Sequence, residues 1–374
     1  MALKNIIDPD TARPQLERWY ATSHPEAQDI RVTDVDIPSA NGMSSETILF
    51  NIAWTENGQQ HSQPSVARVT PTAEGLLPEY NLTHERQVID AVAASTTVRV
   101  PVTYGVETDA SVLGAPFLVM ERLDGRVPTD DPPFTAAGWV TELSITQQAR
   151  MYDNALVAMA GIQSADISGF GRDTVGHPGR DGSPLAQQIA HYERLYAWAA
   201  GDRVHPTIDG ALEWLHTNFP AYEAPPGLSW GDARVGNMMF GEDLRITGVL
   251  DWEMATIGEA ELDLAWFLFL NRTYTEGMGL PAVPGWLSTE ATITRYEQLI
   301  GRPLLNFHFH EILAATRASI MMMRIGMMMI EAGLLPEDAS IPINNPASQL
   351  LATIIGQPMP SEAPAWISGH RNVN

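Results

Sequence analysis

The sequence predicts an α+β chain in two parts, the first mainly strands around one helix and the second mainly helices. Three observations carry this reading. Short strand-like runs with Val, Ile, Thr and aromatic residues dominate the chain before residue 124. A Pro/Asp-rich connection, DGRVPTDDPPF (124–134), then interrupts it. Beyond that connection, apolar residues recur at helical spacing. We place the N-terminal part over residues 1–121 and the C-terminal part over 122–374, and a chain of 374 residues suits two packed units.

Taken in order, residues 8–22 (DPDTARPQLERWYAT) read as an amphipathic helix. Asp10 or Thr11 is its expected cap, and Leu16, Trp19 and Tyr20 form its apolar face. Strand-like runs follow at 30–37 (IRVTDVDI), 46–54 (ETILFNIAW) and 64–71 (PSVARVTP), with a turn at 38–45. The stretch 79–95 has helical spacing through Leu82, Val88, Ile89 and Val92. Two further strand signals lie at 100–107 and 115–123. In the second part, helices are expected at 146–163, 185–200, 209–219, 261–274 and 309–333. A polar, strand-like island at 228–253 breaks that series.

Composition narrows the chemistry. A net charge of −23 repels nucleic acid and anionic membranes, so neither is an expected partner. No run of about 18 uninterrupted apolar residues indicates a membrane span. The N-terminus lacks a signal-peptide pattern, and a cytoplasmic location is the expectation. With no cysteine, disulfides, thiolate nucleophiles and Cys-ligated metals are excluded. There is a single lysine, Lys4, against 21 arginines. Any cation the chemistry needs is therefore arginine or histidine.

The island reads LSWGDARVGNMMFGEDLRITGVLDWEMA (228–255). Asp232 and Asn237 stand in a loop with Gly231 and Gly236, and Asp251 ends the strand-like run ITGVLD. Taken singly, Asp232 and Asn237 suit a turn and Asp251 a cap. Together they suit phosphoryl transfer, which needs a carboxylate to orient the attacking hydroxyl and oxygen ligands for magnesium. The order D-x-x-x-x-N followed by a strand-end Asp is a catalytic-loop signature of kinase-like enzymes.

With the DLAW of 263–266, these residues resemble the aminoglycoside phosphotransferase and choline kinase-like family. Its His-Gly-Asp is matched by Trp230-Gly231-Asp232, so Trp230 departs from the pattern. The resemblance implies a protein-kinase-like two-lobed fold, with an antiparallel-sheet N-lobe and a mostly helical C-lobe. It implies Asp232 as catalytic base, with Asn237 and Asp251 as ligands of Mg2+. It further implies ATP as donor and a small-molecule hydroxyl as acceptor.

The same resemblance assigns nucleotide contacts to the N-terminal part. Gly42, Ser44 and Ser45 would cover the phosphates, and Arg68 would pair with Glu85. Met120 and the main chain of Glu121 and Leu123 would hold the adenine. Tyr192 and Tyr196 fall where the family builds its acceptor site, although both also suit ordinary helix packing. The acidic chain suits a polycation such as an aminoglycoside. The GMSSET turn, the arginine strand and the G-D-x-R-x-G-N loop look more like the kinase-like domains of acyl-CoA dehydrogenase fusion proteins, where a hydroxyacyl-CoA is the implied acceptor. A nucleotide-binding pseudokinase without transfer activity is the alternative, prompted by Trp230 and the single-glycine turn.

Overall fold

The computed structural model describes residues 7–38, 45–170 and 182–361. The chain divides into two units. Among the described residues, one takes in those up to Asp90 and Pro101–Leu123, the other Ala91–Val100 and those from Asp124 onward. The change at 124 lies two residues beyond the boundary read from the sequence. The segment 91–100 joins the second unit through its own bonds. Val249 N–H donates to Arg99 O (2.9 Å), and Asp166 N–H donates to Ser95 Oγ (3.0 Å).

In the first unit, α1 spans Pro9–Ser23. Its cap is Asp8, whose carboxylate accepts from Asp10 N–H and from Thr11 Oγ. The expected cap at Asp10 or Thr11 is corrected by Pro9, which starts the helix because it has no N–H to satisfy and a pre-set φ. Strands β1 (Gln28–Asp36), β2 (Glu46–Glu56) and β3 (Gln59–Val69) follow, then α2 (Leu82–Ser95), β4 (Thr103–Glu107) and β5 (Phe117–Glu121). They form one antiparallel sheet in the order β1-β2-β3-β5-β4. β3 begins earlier than its apolar run suggests. Asn57 and Gly58 both take positive φ, which builds the two-residue turn that pairs Glu56 with Gln59. Alternate residues Ile48, Phe50 and Ile52 of β2 face a core shared with Leu16 and Trp19 of α1 and with Phe117 of β5.

The second unit contains a short helix α3 (Trp139–Glu142), then α4 (Ile145–Gln163), α5 (Pro184–Ala200) and α6 (Pro206–Thr217). Two small antiparallel pairs follow. β6 (Gly227–Ser229) pairs with β9 (Thr256–Gly258), and β7 (Met238–Phe240) with β8 (Ile246–Val249). The remaining helices are α7 (Ala260–Thr273), α8 (Thr289–Ile300), α9 (Phe307–Glu331) and α10 (Pro346–Ile354). α5, α6, α7 and α10 all pack on α9. α9 has the length and hydropathy of a membrane span, but 78% of its apolar window is buried inside the protein, as a core helix requires. α8 and α10 escape the sequence reading. α8 buries only Thr292 and Tyr296, too few apolar residues to mark a period.

Candidate functional site

The segment between β6 and β7 is held at its backbone and at its side chains by residues from α7 and α9. Gly231 has φ +87°, and a Cβ there would stand 2.1 Å from Met254 O, so only glycine fits. The buried carboxylate of Asp263, on the first turn of α7, gathers three donors from the loop's base. Ser229 Oγ donates to it at 2.8 Å, Trp230 N–H at 2.7 Å and Gly231 N–H at 2.9 Å. Burial pushes the Asp263 carboxyl above its ordinary range, against the pull of those hydrogen bonds. From α9, Arg317 donates to Gly231 O at 2.7 Å. Its guanidinium is buried and stacks on Tyr192 and on Trp266.

Asp232 is therefore presented by a backbone held from both sides. Its side chain is held as well. Oδ1 accepts from Trp266 Nε1 (2.8 Å), while Oδ2 accepts from Asn237 Nδ2 (2.6 Å) and Arg234 Nε (3.0 Å). Asn237 thus spends its amide N–H on Asp232, which orients its amide oxygen away from that carboxylate. Arg234 also donates from Nη1 to both oxygens of Asp130, at 2.8 and 2.7 Å, and Tyr274 OH donates to Asp130 Oδ1 at 2.9 Å. Burial alone would weaken the Arg234 charge, but Asp130 and Asp232 outweigh it and hold the guanidinium protonated.

Trp230 bears the loop's second tie. Its ring is buried, and Nε1 donates to Leu250 O and Asp251 O, each at 3.0 Å. The indole N–H ties the loop to the backbone that follows β8, so the departure at this position leaves the loop anchored. Asp251 sits two residues past the end of β8, not at its last residue, in the left-handed region (φ 61°). Leu250 N–H donates to Asn237 O at 2.9 Å, which links the Asn237 and Asp251 backbones. Among the described residues no group of three or more His, Cys, Asp or Glu could hold a metal ion. The Asn237 amide oxygen and the Asp251 carboxylate are hard donors of the kind magnesium takes alongside water and phosphate, so the pair fits that ion.

In the first unit, Arg68 on β3 and Glu85 on α2 form a buried ion pair, and Arg68 Nε donates to Ser45 Oγ at 2.8 Å. Gly42 and Ser44 lie outside the described residues. Met120 and Glu121 close β5, and Glu121 N–H donates to Val102 O at 2.8 Å. Leu123 is the last residue of this unit before the chain passes to the second.

The two tyrosines take up contacts of the helix-packing kind that the sequence also allows. Tyr192 is buried beneath Arg317, so it supports the loop from behind and cannot form an exposed acceptor wall. Tyr196 OH donates to Asp209 Oδ1 (2.9 Å) and accepts from His205 N–H (3.0 Å), joining α5 to α6. The sequence reading does not single out Asp130, Tyr274 or Arg317, and it takes Arg234, Asp263 and Trp266 as parts of motifs without a task. Asp263 and Trp266 were signalled by DLAW. Arg317 had no signal beyond being one of two arginines in a Met-rich helix.

The family model described as "Phosphotransferase enzyme family" matches residues 54–293. Among curated relatives, IBR3 of Arabidopsis thaliana, named as an acyl-CoA dehydrogenase, is 26% identical over 298 residues. That match takes in 75% of this chain and 34% of IBR3, so the chain spans about a third of that relative's length. Among solved structures, a Ralstonia eutropha protein classed with the aminoglycoside phosphotransferases has a TM-score of 0.65 at 23% identity, over 91% of this chain and 95% of that one. The ternary complex of a thermostable variant of the aminoglycoside phosphotransferase APH(4)-Ia with ADP and hygromycin B has a TM-score of 0.56 at 16% identity, over 91% and 98%. These likenesses show the fold, a two-lobed kinase-like one.

Proposed function

Because the chain belongs to the phosphotransferase enzyme family, we propose that it transfers the terminal phosphoryl group of magnesium-bound ATP to a hydroxyl of a small molecule. The carboxylate of Asp232 carries this reading. It is fixed by three side-chain donors on a loop whose backbone is pinned by Asp263 and Arg317. Such pre-orientation is what phosphoryl transfer asks of a protein, since the chemistry depends on positioning and charge.

Asp232 Oδ1 accepts one side-chain bond, from Trp266, and retains a lone pair for the acceptor hydroxyl. As the acceptor oxygen bonds to phosphorus, its proton passes to Asp232, and the bond to the diphosphate oxygen breaks with its electron pair leaving on ADP. Asn237 and Asp251 would hold magnesium, which when bound neutralises phosphate charge. In the first unit, Arg68, oriented by Glu85, serves the nucleotide phosphates together with Gly42, Ser44 and Ser45. Met120 and the main chain of Glu121 and Leu123 serve the adenine. The complex of APH(4)-Ia with ADP supports an adenine nucleotide as donor.

For the acceptor, the acyl-CoA dehydrogenase name of IBR3 and the G-D-x-R-x-G-N loop favour a hydroxyacyl-CoA over an aminoglycoside. The test is magnesium-dependent ATP turnover against hydroxyacyl-CoA, aminoglycoside, sugar and choline-like acceptors, with Asp232→Ala alongside. Acceptor-stimulated turnover that Asp232→Ala lowers at least a hundredfold supports the reading. Wild type and Asp232→Ala with equally negligible transfer across the panel would leave a pseudokinase instead.

A further inference from the structure

Phosphoryl transfer spreads negative charge over the equatorial oxygens of the moving group, and enzymes meet it with a cation placed in advance. The catalytic loop holds one side chain built for that task. Arg234 stands two residues from Asp232 and touches its Oδ2 through Nε at 3.0 Å. Its opposite edge is clamped, with Nη1 held by both oxygens of Asp130, and Asp130 is braced in turn by Tyr274 OH. Its other terminal nitrogen, Nη2, donates to no described residue, and the side chain is 20% exposed. Arg317, the other guanidinium at this loop, is sealed between two aromatic rings with its Nη2 spent on Gly231 O. It can brace the loop but cannot reach a ligand.

We propose that Arg234 is a catalytic residue that contacts the transferring phosphoryl group through Nη2, with Asp130 and Tyr274 setting the direction of its fork. The arrangement suits this role better than a purely structural ion pair. A structural arginine satisfies its donors on its neighbours, whereas this one keeps an open N–H pair beside the carboxylate that receives the acceptor's proton. The fork is fixed at two of its three nitrogens, so little side-chain entropy is lost when the third engages phosphate. Two carboxylates facing one guanidinium leave the trio at net −1, so its charge is held in place by geometry more than by neutralisation. A loosely held lysine would not reproduce that direction, because its ammonium is a point charge on a flexible stem.

This inference rests on the phosphotransfer reading, and the experiment separates the two. MgADP binding to the full chain is measured alone and with fluoroaluminate, which completes a mimic of the transferring phosphoryl group. The variants are Arg234→Gln, Arg234→Lys and Asp232→Ala, with thermal melting as the folding control. MgADP alone binds wild type and both Arg234 variants within about twofold. Fluoroaluminate tightens ADP binding to wild type. It does so at least tenfold less for Arg234→Gln, and Arg234→Lys recovers part of the difference. Equal tightening in wild type and Arg234→Gln overturns the role of Arg234. Should Arg234→Gln fail to fold, Arg234→Lys decides: tightening equal to wild type overturns the fork argument, and a reduced value supports it. If wild type binds no MgADP at all, the phosphotransfer reading falls and this proposal with it.

Discussion

Replacing Asp263 by asparagine changes one oxygen to an amide nitrogen at the base of the loop that carries Asp232. The wild-type carboxylate accepts from Ser229 Oγ, Trp230 N–H and Gly231 N–H. Asparagine can turn its oxygen toward Ser229 and Gly231, the two donors that share Oδ1. Its NH2 then faces Trp230 N–H, donor against donor, and that buried N–H loses its partner. One orphaned buried donor costs about 1–3 kcal/mol. Arg317, whose charge bears on Asp263, loses an opposing charge as well, and a total of about 2–4 kcal/mol follows. A domain of ordinary stability, about 5–15 kcal/mol, survives that loss and stays folded at room temperature. Turnover suffers more. Gly231 precedes Asp232, so a displaced Trp230–Gly231 backbone moves the carboxylate, and a shift near 1 Å costs about a hundredfold in rate. Urea denaturation and magnesium-dependent ATP turnover, run on the same preparation, read both effects. A stability loss below about 1 kcal/mol with turnover inside twofold of wild type would refute the argument that Asp263 organises the loop.

Two other predictions concern the frame around the site. Gly231→Ala places a Cβ 2.1 Å from Met254 O at a φ of +87°, so the loop must shift; the melting temperature should fall and turnover should be lost, and a variant that melts and turns over like wild type contradicts the assignment. His205 is buried, and burial pushes its imidazole down to about 4 from 6.5. The folded state therefore resists a proton that the unfolded chain accepts, and the stability is fully present above pH 6.5 and lost as pH falls toward 4. At pH 5 the loss is about 2 kcal/mol, and urea midpoints at pH 7.5 and pH 5 for wild type and His205→Phe measure it. A wild-type pH difference that persists undiminished in the variant assigns the loss elsewhere.

Much of the scaffold was legible because burial imposes a period on the chain. α4, α5 and α9 were each located within two residues by apolar spacing. The Asn57–Gly58 dipeptide is itself a hairpin-turn signal, and it sets the start of β3 at Gln59, ahead of the apolar run at 64–71. α8 was not legible, because a half-exposed helix with few apolar residues carries no clear period. Trp230 read as an anomaly on paper, since a one-dimensional motif compares residue names. In the structure its indole N–H reaches the Leu250 and Asp251 carbonyls, and what counts there is a donor at the right place.

The sequence by itself determined the family, the two-part α+β architecture, and the order Asp232, Asn237, Asp251 on which the proposed chemistry rests. Those features are local in the chain, and spacing alone expresses them. Tertiary structure decided how Asp232 is held. Arg234 meets Asp130 across 104 positions, Trp266 meets Asp232 across 34, and Arg317 meets Gly231 across 86. Each bond joins elements that come together when α7, α9 and the segment before α3 pack around the loop. A donor and an acceptor far apart in the chain leave no mark on each other's sequence neighbourhood, and only the folded backbone brings them within 3 Å.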